Sequence, residues 1–356
     1  MPGWGGTEVH LLRLSRALRA LGHRVTVGCR RDSWLWRHAR EAELPVVEMC
    51  VRRQYDLAAV RPLRAAMRRG RFEVVHTHSY RDYLIPALAA RAAGIRCVVG
   101  TRHLYFPFRS RLRARICTPG LYHRLIAVSA FVAKSLTGSG VDPQRVTVIP
   151  NGIEIGTFAA ARGRREAVRE ELGLAPEARV VGAVGRLTAG KGYEHLVEAV
   201  ASLPDELEVT CLFVGEGEER SRLEAQVADL RAGKRIRFLG YREDVPAVLA
   251  ALDVLALPSM LPEADSLAAL EALASGTPVV AYDQGAVREV VVDSVSGVLL
   301  PPGEVRELAA ALAQVLSRPD RGAALGEAGR ASVQGRTVEA MAVAVSGLYQ
   351  QVLGDT

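Results

Sequence analysis

Short apolar runs alternate with amphipathic stretches along the whole chain. In the first half, runs rich in valine and isoleucine fall at Arg24–Cys29, Val46–Val51, Val74–Thr77, Cys97–Thr101, Arg124–Val128 and Val146–Ile149, as buried strands do. Apolar residues recur at helical spacing over Thr7–Leu21, Trp34–Glu41, Leu57–Arg69, Tyr83–Ala93 and Ala130–Ser139. The second half repeats the rhythm. Its strands fit Val180–Val184, Glu208–Val214, Ile236–Leu239, Val254–Leu257, Pro278–Ala281 and Gly297–Leu300. Its helices fit Tyr193–Ala201, Glu218–Leu230, Val245–Ala251, Ser266–Ala274, Ala286–Val291 and Val305–Leu316. Such alternation predicts an α/β protein with parallel sheets covered on both faces. The rhythm breaks after Pro150, between Asn151 and Arg165, which predicts two Rossmann-like halves with a cleft between them.

Composition narrows the class. A chain of 356 residues, 49% of them apolar, suits two domains with ample cores. No apolar run is long enough to cross a bilayer, and no signal-peptide pattern opens the sequence. Cys29, Cys50, Cys97, Cys117 and Cys211 lack metal-ligand spacing and read as free thiols of a reducing, cytoplasmic compartment. The net charge of +7 hides an asymmetry. Residues 1–150 hold 26 basic and 9 acidic side chains, a net of +17, leaving 20 basic and 30 acidic ones elsewhere, a net of −10. One reading is a basic face that meets an anionic acceptor or the inner membrane surface peripherally, with Arg109, Arg111, Arg113 and Arg115 alternating along one edge. The other is solvated helix faces rich in arginine. Nucleic acid is disfavoured, because no recognition motif accompanies the arginines and aromatic residues are sparse.

Two segments carry the chemistry. In Leu261–Ala281, Glu263 and Glu271 stand eight residues apart around a predicted helix start. Asp265 or Ser266 is the expected cap, Gly276 the stop, and the following apolar run a strand. A helix N-terminus attracts phosphate, and flanking carboxylates accept hydrogen bonds from sugar hydroxyls. Upstream, the strand Val180–Val184 leads into a glycine-rich turn with Arg186 and Lys191. Two cations beside free amides suit a diphosphate. Gly185, Gly190 and Lys191 fit the P-loop spacing, but Gly192 stands where a P-loop needs Ser or Thr for magnesium.

These motifs, with WGGTE (Trp4–Glu8), VVHTHS (Val74–Ser79), TRH (Thr101–His103), VIPNGIE (Val148–Glu154), VGRLTAGKG (Val184–Gly192) and FVGEGEE (Phe213–Glu219), occur in an order that resembles the retaining GT-B glycosyltransferases of family 4, the group 1 superfamily. The resemblance implies domains over residues 1–150 and 151–336, and a last helix, Val338–Val352 within 337–356, that returns to the first domain. It implies transfer of a sugar from a nucleoside-diphosphate sugar, UDP- or GDP-linked, to a glycan, lipid-linked or small-molecule acceptor, as in polysaccharide or lipopolysaccharide synthesis. No cofactor and no metal are expected. Arg186 and Lys191 would neutralise the diphosphate, Glu263 the hydroxyls of the transferred sugar, and His103 would reach the reacting centre. Donor contacts would come from Gly5, Gly6, Gly185, Gly215, Tyr241, Ser266, Leu267 and Glu271, with Arg242 beside Tyr241 at the base. His78 is an acceptor-side candidate and His76 a core residue; read as pointing to opposite faces, the two share no metal. Asp265 departs from the family pattern, which has an apolar residue there, and a carboxylate near a phosphate site is expected to repel the donor unless it points away or binds sugar hydroxyls. A non-catalytic GT-B subunit and a sugar-nucleotide epimerase are the rival readings. The family has a strand before the GG turn that this sequence does not show, so the sheet of the first domain is expected to lack its central strand.

Overall fold

The computed structural model describes residues 5–49, 51, 56–78, 84–105 and 120–354. Trp4, Cys50, Ser79, Cys117 and the arginines 109–115 lie outside the described residues. The chain divides into two units, Met1–Gly152 with Arg336–Thr356, and Ile153–Gly335.

The second unit is built on one parallel sheet of six strands. They are β7 (Arg179–Val184), β8 (Val209–Val214), β9 (Ile236–Gly240), β10 (Val254–Leu257), β11 (Val279–Tyr282) and β12 (Gly297–Leu300), in the order β12-β11-β10-β7-β8-β9. The chain starts in the middle at β7, winds out to β9, then returns to β10 on the other side of β7. The strand order therefore reverses between β7 and β10, and loops leaving their carboxyl ends diverge around an open crevice. Both faces of the sheet are covered. Helix Tyr193–Ala201 and helix Val305–Leu316 share one core with Val181, Ala183, Cys211 and Phe213. Helix Leu267–Ala274 packs on the other face with Val180, Leu212, Leu255 and Val279. Burial on both faces explains why these strands read as continuous apolar runs.

Three helices of this unit are not assigned from the sequence, and one expected helix is not formed. Ile155–Ala161 occupies what reads as a break in the pattern, and Arg165–Glu171 follows directly after that break. The second is fastened by Arg165 and Arg169, which both pair with Asp253. Pro319–Ser332 is helical despite three glycines. The expected helix Ala286–Val291 is only a 3₁₀ turn, Val287–Glu289.

In the first unit the sheet is in two parts. A pair, β1 (Val27–Cys29) with β2 (Val46–Glu48), stands beside a four-stranded parallel sheet of β3 (Val74–Thr77), β4 (Cys97–Arg102), β5 (Arg124–Ala127) and β6 (Val146–Val148). Helix Gly6–Ala20 serves both parts. Leu14 and Leu18 pack with Cys97, Val99 and Ile126, while Leu11 and Leu12 pack with Val27 and Cys29. Helix Val338–Gly354 lies in the core of this unit through Met341, Val345, Leu348 and Tyr349. The chain leaves the unit after Gly152, whose Cα sits so close to the start of that helix that a Cβ would stand 2.2 Å from the Thr337 carbonyl oxygen. Cys29 and Cys97 are buried free thiols, pushed up by burial to about 11 and about 12. Cys211, in the second unit, is likewise buried and free.

Candidate active site

In the second unit, four loops leave the carboxyl ends of β7, β8, β10 and β11, and glycines let them touch. Gly215, after β8, has φ +140, and a Cβ there would stand 1.9 Å from the carbonyl oxygen of Gly185, after β7. Gly192 has φ +65, and a Cβ would stand 1.8 Å from the Pro258 carbonyl oxygen, after β10. No side chain is accommodated there, so the residue that breaks the P-loop pattern is required by this packing. Gly190 accepts hydrogen bonds from the amides of Met260 and Leu261 at 2.9 and 3.2 Å. Gly285, after β11, bridges Glu263, whose carbonyl accepts from the Ala286 amide at 2.8 Å.

The interlock sets one ion pair. Lys191 Nζ donates to Glu263 Oε1 at 2.7 Å, with Glu263 the more buried partner. The buried Ser259 hydroxyl donates to the same oxygen at 2.5 Å. Two donors on one oxygen fix the carboxylate and leave Oε2 for another donor. Ser259 was not singled out from sequence; it lies in an unremarkable Pro-Ser step before the acidic segment. Arg186 projects from the same turn, exposed and without an ion pair among the described residues. A glutamate-anchored lysine beside an exposed arginine is an anion-binding arrangement.

The remaining candidates fall as follows. Ser266 is buried and stands at the N-cap of helix Leu267–Ala274, but its side chain makes no cap bond. Of the two expected caps, Asp265 and Ser266, it is Ser266 that takes the N-cap position, without the side-chain hydrogen bond; the Leu267 amide donates to the Asp265 carbonyl at 2.9 Å. Glu271 lies within the helix and is half-buried. Gly276 ends it with φ +74. Tyr241 is exposed after β9, its hydroxyl 3.5 Å from Glu243 Oε1. Arg242 pairs with Asp244 and Glu171, whose carboxylates raise its pKa further, so it is committed to structure.

The first unit holds Gly5, Gly6 and the histidines. Gly5 caps helix Gly6–Ala20 in extended backbone, and Gly6 is the first residue of the helix. His103 follows β4, and its Nε2 lies 3.2 Å from Nδ1 of His78, which follows β3. His76 is held at both nitrogens, 2.6 Å from the Tyr349 hydroxyl and 2.6 Å from Thr101 Oγ1. The rings of His76 and His78 are 4.0 Å apart. Placing them on opposite faces was an error: residues two apart on a strand share a face. His10, buried on helix Gly6–Ala20, has its ring centre 4.5 Å from that of His103. Burial lowers all four pKa values, to about 4 for His10 and about 3 for His76, and well below the usual range for His78 and His103. All four rings are neutral at pH 7. His10 escaped notice in the sequence because it sits at an ordinary core spacing of its helix.

Comparison with known proteins places this architecture. Residues 164–332 match the family model of glycosyl transferases group 1, and residues 4–156 that of glycosyltransferase family 4. The chain is 31% identical over 349 residues to the 2-deoxystreptamine glucosyltransferase of Streptomyces kanamyceticus, covering 88% of this chain and 90% of the relative. It is 30% identical over 280 residues to the UDP-Gal:alpha-D-GlcNAc-diphosphoundecaprenol alpha-1,3-galactosyltransferase of Escherichia coli, covering 73% and 70%. Among solved structures, Anabaena HepE in complex with UDP-glucose matches with a TM-score of 0.87 at 25% identity, over 100% of this chain and 98% of that one. The fold is that of the GT-B glycosyltransferases, as the sequence predicts. The chain belongs to the group 1, family 4 glycosyltransferases.

Proposed function

We propose that this chain transfers a sugar from a UDP-linked donor to a glycan, lipid-linked or small-molecule hydroxyl, with retention at the anomeric carbon. The observation that carries the reading is the contact of Lys191 with Glu263, which joins the basic turn after β7 to the acidic segment after β10 at the point where the strand order reverses. Support for the donor comes from HepE, solved with UDP-glucose, and from the UDP-galactose in the name of the E. coli relative. The acceptor in that relative's name is carried on diphosphoundecaprenol, and the one in the Streptomyces relative's name is 2-deoxystreptamine, which supports a hydroxyl-bearing acceptor of either kind.

The chemistry follows from the charges. Breaking the anomeric carbon–oxygen bond puts negative charge on the diphosphate. The Lys191 ammonium turns from Glu263 toward that charge, and the exposed Arg186 supplies a second cation. Glu263, still held by Ser259, accepts from sugar hydroxyls, and Glu271 from the ribose. His103, neutral at pH 7, offers a hydrogen bond near the reacting centre without adding charge. Protein cations carry the leaving-group charge, so donor cleavage does not require a divalent ion. The experiment is release of UDP from UDP-glucose and UDP-galactose with excess EDTA. We expect turnover within about twofold of that in magnesium. Loss of turnover in EDTA, restored by magnesium or manganese, contradicts the proposed leaving-group chemistry.

A further inference from the structure

We infer that His10, His78 and His103 form a binding site for one Zn2+ ion within the first unit. One ligand atom from each lies within 4.8 Å of the others. A tetrahedral zinc with ligand nitrogens at 2.0–2.1 Å needs them about 3.3 Å apart. The His78 Nδ1 to His103 Nε2 separation of 3.2 Å already has that span. The third ligand closes by a side-chain rotation of His10.

Hydrogen bonding sets His10 apart from the other histidines nearby, while His78 Nδ1 and His103 Nε2 face each other. His76 spends both nitrogens on Tyr349 and Thr101, and His23 is bonded to Ser346. His10 is 4% exposed, and neither of its ring nitrogens has a hydrogen-bond partner among the described residues. Burial is the largest influence on its pKa and lowers it; the Asn151 side chain, close by but outside hydrogen-bond geometry, works the other way, and Arg13 lowers it further. A buried imidazole with unsatisfied nitrogens, aimed at two more, is an uncommon expense unless something binds there. Neutral imidazoles are the ligands that zinc takes, and three of them leave a fourth position open. Among the described residues no carboxylate or cysteine joins the group, which favours zinc and its neighbours over calcium or magnesium.

The three histidines all belong to the first unit, and the inference does not depend on the proposed transfer chemistry. Its consequence for that chemistry is inhibition. Zinc on His103 withdraws a side chain assigned to the reacting centre, so excess Zn2+ slows a reaction that EDTA leaves intact.

The test uses the full chain without an affinity tag, stripped with EDTA and dialysed. Zn2+ is titrated calorimetrically, and Co2+ is added as a visible-absorbing substitute. We expect one Zn2+ per chain, and a Co2+ spectrum of four-coordinate intensity that Zn2+ bleaches. His78→Ala and His103→Gln each weaken binding by more than about tenfold, while His38→Ala, remote from the cluster, does not. His103→Gln is the decisive variant, because its loop position perturbs folding least; circular dichroism of each metal-free variant verifies the fold. Absence of stoichiometric Zn2+ binding by the unsubstituted chain overturns the inference. So does binding that survives both substitutions in folded protein.

Discussion

The two units position their polar groups by different means. In the second, an unbroken six-stranded sheet sends four loops off one edge, and backbone contacts lock them. Gly192 against Pro258 and Gly215 against Gly185 leave no room for a Cβ. Lys191 and Glu263 meet because their backbones are pinned. In the first, the sheet is in two parts, and the histidines are placed by side-chain contacts, His76 between Tyr349 and Thr101 and His78 against His103. A site locked by backbone brings opposite charges into contact. A site made of buried rings holds them neutral and becomes sensitive to protons.

That contrast predicts unequal acid sensitivity. His10 titrates near 4 and His76 near 3 when folded, against about 6.5 unfolded. The unfolded chain therefore binds more protons below pH 6.5, and stability present above that pH is lost as pH falls toward 4. At pH 5 each ring costs about 2 kcal/mol by this linkage. The second unit holds a single histidine, His195. Trp4, Trp34 and Trp36 all belong to the first unit, so tryptophan fluorescence reports it selectively. In EDTA, the fluorescence melt should shift down strongly between pH 7.5 and pH 5. An unmoved transition contradicts the burial of these rings.

Gly192→Ala breaks the other side of the comparison. It adds a Cβ at positive φ against a backbone carbonyl, and should destabilise the second unit by about 3 kcal/mol. The loss should appear in the far-ultraviolet melt and leave the tryptophan transition in place. A wild-type melt would mean that the loops are not interlocked as described. The smallest effect is expected from Tyr349→Phe, which removes the 2.6 Å contact to His76. We expect a loss of about 1 kcal/mol, read from the denaturant midpoint of tryptophan fluorescence. No loss would show that helix Val338–Gly354 does not help to place that ring.

The same contrast decides what was legible in the sequence. Glycine spacing announces backbone locks, so the turn Gly185–Gly192 and the acidic segment were readable, and the apolar strands around them were buried on both faces. Glycine inside a helix carries no such announcement. Helix Pro319–Ser332 has no assignment from the sequence, and two of its three glycines, Gly326 and Gly329, are packing contacts. A Cβ on Gly326 would stand 2.0 Å from the Gly276 carbonyl oxygen, and one on Gly329 2.6 Å from Leu273 Cδ2. Side-chain constellations left no local trace. His10, His78 and His103 come from three separate segments, and only the fold brings their nitrogens together. Ser259 is set against Glu263 by loop geometry that no periodicity encodes.

The central claim is that Lys191 and Arg186 stabilise the departing diphosphate. Arg186→Ala and Lys191→Ala should each lose about 2–4 kcal/mol of transition-state stabilisation, a fall of roughly 30- to 1,000-fold in kcat/KM. The measurement is UDP release from the preferred UDP-sugar by each variant in EDTA, with melting curves matched to the parent chain. A deep loss of rate with the fold intact is the predicted result. Near-normal turnover by both folded variants contradicts the account.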